Sequence, residues 1–160
     1  MTRLLGIDVG TRRIGLAIAD TGAAAPAGAV SSAASIRPLA TISRGTAARD
    51  AATIARVVEE QRIDEIVVGL PLIMAGTEAE MARSTRAWAE AVLTGLGLPV
   101  CWRDERLSSE QAGARLRPPR RGRAGGPPSA ARRDAHRASL DREAAAIILQ
   151  AELDARVSRG

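Results

Sequence analysis

Apolar residues fill positions 3–9 and 13–19, with the polar stretch "GTRR" between them, a pattern that predicts a β-hairpin closed by a Gly-containing turn. Residues 21–37 are rich in Ala, Gly, Ser and Pro and predict a loop, followed by a third strand in "PLATIS". From Thr46 to Gln61 the apolar positions Ala51, Ile54, Ala55 and Val58 fall at helical spacing. "EIVVGLPL" predicts a short buried strand, and Thr77 with Glu80 forms a capping box for a helix reaching about Leu93. "PVCWRDE" predicts the last strand, and Ser108 to Leu116 a short helix opened by Ser108 and Gln111. A final helix runs from Leu140 to Val157, with Leu140, Ala144, Ile147, Ile148 and Ala151 on one face.

Three strands followed by alternating helices and strands imply an α/β fold. Its sheet is mixed, an antiparallel meander first and parallel crossovers afterwards, covered by helices. At 160 residues the chain suits one domain, residues 1–160, with a real core. The Pro/Gly/Arg-rich segment at about 115–138 cannot pack such a core and is expected to be mobile. There is no apolar run long enough to span a bilayer, no signal-peptide pattern after "MTR", and one cysteine, Cys101. A cytoplasmic protein without a membrane partner is the expectation.

Composition changes the picture in one respect. All 23 basic residues are arginine, and Lys, Asn, Phe and Tyr are absent. A GC-rich genome explains that skew, so arginine content by itself says little about nucleic acid. Distribution says more. Between Ala114 and Leu140 eight arginines face one acid, Asp134, so the net charge of +5 is concentrated there. Such a segment suits a polyanion and salt-sensitive phosphate contacts; as a GC-rich loop it could equally have no role. Trp88 and Trp102 sit where core packing is expected, which argues against base stacking as the main recognition mode. Cys101 suits a small core residue and His136, the sole histidine, a bystander in a polar loop.

The acids are where chemistry enters. Asp8 interrupts an apolar strand, Asp104 and Glu105 end the last strand, and Asp141 falls in the first turn of the predicted final helix. Each has an ordinary explanation: a turn cap, a solvated strand end, a helix macrodipole partner. Together they define another. Neighbouring parallel strands would bring the first two sites together, and the packed helix would carry the third there. Three carboxylates at one point repel unless a divalent cation neutralises them, and Mg²⁺ or Mn²⁺ prefers such hard oxygen ligands. Two such ions about 4 Å apart assist phosphodiester hydrolysis.

"GIDVGTRRIGLAIAD", "EIVVGLPLIMAGTE", "DERLSS" and "LDREAAAIIL" occur in an order and spacing that resembles the YqgF family of pre-16S rRNA nucleases and RuvX-like Holliday junction resolvases, over Leu4 to about Gln150. The resemblance implies an RNase H-like five-stranded sheet and a metal-dependent nuclease whose ligands are Asp8, Glu105 and Asp141, with Asp104 as the alternative to Glu105. It also implies processing of the 5′ end of pre-16S rRNA, or cleavage of branched DNA, by a monomer or homodimer, with the small-subunit precursor as a partner. Gly10, Thr11 and Arg12 of the first turn, together with Arg106, Arg120, Arg121 and Arg123, are the expected substrate contacts. The sequence departs from the family where "LPLIMAG" carries Ile73 and Ala75 in place of polar residues. It also has no basic residue just before Asp141, and its 21–37 loop is longer than usual. Two other classes compete: an actin-like phosphotransferase suggested by "GIDVGT", for which the chain is too short to hold two domains, and a non-catalytic RNA-binding assembly factor.

Overall fold

The computed structural model describes residues 1–22, 35–70, 77–104 and 127–159. Five strands, β1 (Thr2–Val9), β2 (Arg13–Thr21), β3 (Ser35–Ser43), β4 (Glu65–Leu70) and β5 (Val100–Asp104), form one sheet in the order β3-β2-β1-β4-β5. β1, β2 and β3 pair antiparallel, whereas β4 and β5 run parallel to β1. This is the mixed sheet the pattern implied. Among the described residues three α-helices accompany it: α1 (Ala47–Gln61), α2 (Thr77–Leu93) and α3 (Ala130–Val157). A 3₁₀ turn at Thr94–Leu96 follows α2.

Strand alternation divides the core into two layers. One face presents Leu5, Ile7, Val9, Ile14, Leu16, Ile18, Ile66 and Val68 to Ile54 of α1 and to Trp88, Ala89, Val92 and Leu93 of α2. The opposite face presents Leu4, Ala17, Ala19 and Val67 to Ala145, Ala146, Ile148, Leu149 and Leu153 of α3. α1 starts where the sequence placed it, with the Thr46 side chain accepting from Arg49 N.

The structure corrects the sequence reading in several places. α3 begins at Ala130, ten residues before the expected start at Leu140. Ser129 caps it by accepting from Arg132 N, and Ala130, Ala131, Arg132, Arg133 and Ala135 are strong helix formers. This first part is mostly exposed, so it carries no apolar stripe to betray it. Residues 130–138 of the segment expected to be mobile are therefore helical, His136 lies on a helix rather than a loop, and Asp141 stands near the middle of α3 rather than in its first turn. A macrodipole role for Asp141 is excluded by that position. Ala151 proves exposed, while Ala145, Leu149 and Glu152 are buried. β3 starts at Ser35 because its pairing with β2 extends to Asp20. Cys101 and Trp102 are only half-buried, and Trp102 has the Arg86 guanidinium 5.0 Å from its ring centre. The expected helix at 108–116 lies outside the described residues.

Candidate active site at the carboxyl end of β1

Asp8 is the penultimate residue of β1 and pairs in register with Gly15 of β2. The same β2 position pairs with Thr41 of β3, so Asp8, Gly15 and Thr41 form one row across three strands. α3 lies directly over that row. A Cβ built on Gly15 would sit 1.9 Å from the Asp141 carbonyl oxygen, and the Thr41 hydroxyl donates to the Ala138 carbonyl at 2.6 Å. Only a glycine at position 15 permits this approach. Directly opposed residues of an antiparallel pair share a face, so Asp8 and Asp141 are brought to the same corner of the molecule.

Asp141 is half-buried, and its Oδ2 accepts from Arg13 Nε at 2.7 Å. The cation beside Asp141 thus comes from β2, not from the residues just before it in the sequence. This pairing was not visible in the sequence, where Arg13 looked like a turn residue; its only trace was a basic residue at a strand start. Gly10 N donates to Arg13 O at 2.8 Å, closing the turn, and a Cβ at Gly10 would lie 2.7 Å from that oxygen. Arg44 braces the turn from β3: its backbone N donates to Arg12 O at 2.9 Å and its Nη1 to Gly10 O at 3.0 Å. Arg44 is a site residue that sequence reasoning missed. Thr11 and Arg12 are exposed at the tip.

Asp104 is the last residue of β5 and pairs with Leu70 of β4, two strands away from β1 at the same end of the sheet. Glu105, Arg106, Arg120, Arg121 and Arg123 lie outside the described residues, as do Ile73 and Ala75. Among the described residues no three metal-ligating side chains are gathered. Those residues supply two of the three expected carboxylates, Asp8 and Asp141, and their oxygens are the hard donors a divalent cation takes. In kind, the donors fit such an ion.

Farther along, α3 is tied to the parallel half of the sheet by ions. Glu152, buried on α3, accepts from Arg103 of β5 and from Arg156, whose guanidinium also donates to Glu65 of β4 at 2.5 Å. Burial alone would raise the Glu152 carboxyl, but the hydrogen bonds from Arg103 and Arg156 override it and hold it below the ordinary carboxylate value.

A mixed five-stranded sheet in this order, with acids at the carboxyl ends of its strands and a helix across the antiparallel half, is an RNase H-like α/β fold. Residues 2–155 match the family model described as "RuvX: Holliday junction resolvase", and the chain belongs to that family. Among curated relatives, one from Anaeromyxobacter dehalogenans (strain 2CP-C) is 42% identical over 154 residues, covering 96% of this chain and 98% of its own. One from Chloroflexus aurantiacus (strain J-10-fl) is 38% identical over 157 residues, covering 97% and 88%. Both bear the provisional name pre-16S rRNA nuclease. In solved structures, Thermus thermophilus RuvC in complex with a Holliday junction substrate superposes with a TM-score of 0.55 over 98% of this chain and 96% of RuvC. At 21% identity that likeness speaks for the fold alone. No described helix is long and apolar enough to cross a membrane.

Proposed function

We propose that this protein is a cytoplasmic, divalent-cation-dependent nuclease that trims the 5′ end of pre-16S rRNA, with Asp8, Glu105 and Asp141 as its metal ligands. The observation that carries the reading is the row Asp8–Gly15 beneath the Asp141 backbone, which brings two acids from distant parts of the chain to one corner. Arg13 holds the Asp141 carboxylate by one oxygen and leaves the other for a ligand. Cys101 and Arg103 belong to the α3 side of the sheet, Cys101 packing in its core layer and Arg103 binding Glu152. Glu105 is carried from the family resemblance, with Asp104 as its alternative. Mg²⁺ or Mn²⁺, as one ion or two, would supply Lewis-acid stabilisation and a strong nucleophile at neutral pH. The chain's own residues would orient the phosphodiester: the carboxylates would hold the cation, and Thr11 and Arg12, exposed on the adjoining β1–β2 turn, are proposed to meet phosphate. The arginines at 106, 120, 121 and 123 are proposed to add the salt-sensitive phosphate contacts.

The test uses a labelled single-stranded RNA spanning the immature 5′ end of the ribosomal precursor and, in parallel, a four-way DNA junction. Wild type, Asp8→Asn, Asp141→Asn, Glu105→Gln and Asp104→Asn are compared with Mn²⁺ and with EDTA. Metal-dependent RNA cleavage that Asp8→Asn, Asp141→Asn and Glu105→Gln abolish, and Asp104→Asn retains, is the expected outcome. The family's description favours the junction as a second substrate, and cleavage of the junction alone would move the function there with the same residues. RNA bound but uncut by wild type would replace the nuclease by an RNA-binding assembly factor.

A further inference from the structure

Asp8 and Val9 are consecutive in β1, so they face opposite sides of the sheet end. On the α3 side stand the acids. On the other side, beneath the β1–β2 turn, lies a cavity of about 220 Å³ lined by Val9, Gly10, Thr11, Arg44 and, from α2, Glu80, Met81, Ser84 and Thr85. Of its lining, the metal-dependent reading uses only the first turn, where Gly10 and Thr11 are expected substrate contacts.

Its chemistry is specific. Thr85 is only 5% exposed, and among the described residues its hydroxyl has no hydrogen-bond partner. An unpaired buried hydroxyl costs about 1–3 kcal/mol, so a side chain held this way at a cavity wall calls for a ligand atom. Arg44 spends one N–H on the Gly10 carbonyl and keeps its other donors unpaired among the described residues, which suits a phosphate. Thr11 and Ser84 add exposed hydroxyls, Glu80 an acceptor for sugar hydroxyls or a base amino group, and Val9 and Met81 an apolar surface. Met81 is 42% exposed, unusual for a large apolar residue of this chain. A cation, hydroxyls, one acceptor and an apolar wall in so small a volume match one nucleotide.

We infer that this cavity binds a single nucleotide unit of the substrate strand, adjacent to the bond cut on the other side of the sheet end, with Arg44 on its phosphate and Thr85 on its sugar or base. The inference rests on the nuclease reading for the identity of the strand and on the cavity alone for the ligand. Because Val9 follows Asp8 directly, a strand crossing the end of β1 reaches both faces at once. Thr85 and Arg44 thereby set which nucleotide is accepted next to the cut.

The test is calorimetric titration with each of the four nucleoside 5′-monophosphates in EDTA, with inorganic phosphate as control. Wild type, Thr85→Val, Arg44→Met and Asp8→Asn are compared, together with KM and kcat for RNA cleavage. Wild type is expected to bind at least one monophosphate more tightly than phosphate. Thr85→Val and Arg44→Met should weaken that binding at least 10-fold and raise KM more than they lower kcat, while Asp8→Asn binds as wild type. Thr85→Val should melt no lower than wild type, because the lost hydroxyl has no hydrogen-bond partner among the described residues. Equal binding by wild type and Thr85→Val, or no binding by wild type, overturns the inference and leaves the carboxylate centre standing. Nucleotide binding that depends on Thr85, in a protein whose Asp8→Asn variant cleaves as well as wild type, overturns the centre and leaves the cavity.

Discussion

The two faces of the sheet solve opposite packing problems. The α1/α2 face is built from large side chains, Leu5, Ile7, Ile14, Leu16 and Ile18, and gains its stability from buried volume. On the α3 face Leu4 and Val67 pack beside the small residues Gly6, Gly15, Ala17 and Ala19, and at the glycines a helix backbone comes against a strand backbone. A Cβ at Gly6 would meet Leu149 Cγ at 2.5 Å and the Ala145 carbonyl at 2.7 Å, the same crowding as at Gly15. Stability therefore concentrates on one face and positional accuracy on the other. The candidate catalytic acids belong to the second, where a side-chain layer of ordinary thickness would hold Asp141 too far from Asp8.

The sharpest way to break this contrast is a pair of neighbouring substitutions on β2. Gly15→Ala adds one methyl group and Leu16→Ala removes most of a side chain, yet each should cost about 3 kcal/mol in chemical denaturation, the first by overpacking against backbone and the second by leaving a cavity. Only Gly15→Ala should also abolish cleavage at temperatures where the variant remains folded. Retained cleavage in Gly15→Ala would show that the close approach is not needed.

A second measurement concerns the ion cluster that clamps α3. The Glu152 carboxyl is held below its unfolded value of 4.5, so its contribution to stability is complete above that pH and is lost as pH falls through the lower folded value. Denaturation midpoints should fall below pH 4.5 in wild type more steeply than in Glu152→Gln. At pH 7 Glu152→Gln should itself be destabilised by about 3 kcal/mol, because Arg103 and Arg156 lose their shared counter-charge in a part-buried site. Identical pH profiles would remove Glu152 from the account of what fixes the helix.

The smallest expected effect lies on the volume-driven face. Asp50 is buried there and accepts from Trp88 Nε1 at 3.0 Å and from Gly45 N at 2.9 Å, joining α1, α2 and the end of β3. Trp88→Phe should cost about 1–2 kcal/mol by leaving one carboxylate oxygen short of a donor, with cleavage nearly unchanged. A loss of cleavage without a loss of stability would mean that the two faces are coupled.

How much of this was legible depended on range. The runs around Ile7, Leu16 and Val67 announced strands because burial on a pleat leaves a local pattern, and Thr46 announced α1 because capping is local as well. The acids Asp8 and Asp141 stood out only because a charge interrupts or borders such a pattern. The first turns of α3 left no stripe, since little covers them. The Arg13–Asp141 pair, the role of Gly15 as a floor for α3 and the burial of Thr85 arise from contacts between distant segments, and nothing in the local composition encodes them. The pattern predicts β3 to start at Pro38. In fact it sits inside an edge strand beside the irregularity at Leu16/Ala17, where its missing N–H costs little.

The pairing of Arg13 with Asp141 spans 128 residues and has a consequence in time. Ribosomes add roughly 5–20 residues per second, so the N-terminal hairpin emerges on the order of ten seconds before the helix that completes its acidic corner. Until that helix docks, Asp8 lacks its companion and Gly15 is an uncovered groove. A nascent chain therefore carries the strands without the docked helix, and on the nuclease reading the candidate centre assembles in one late step, when α3 closes over the hairpin.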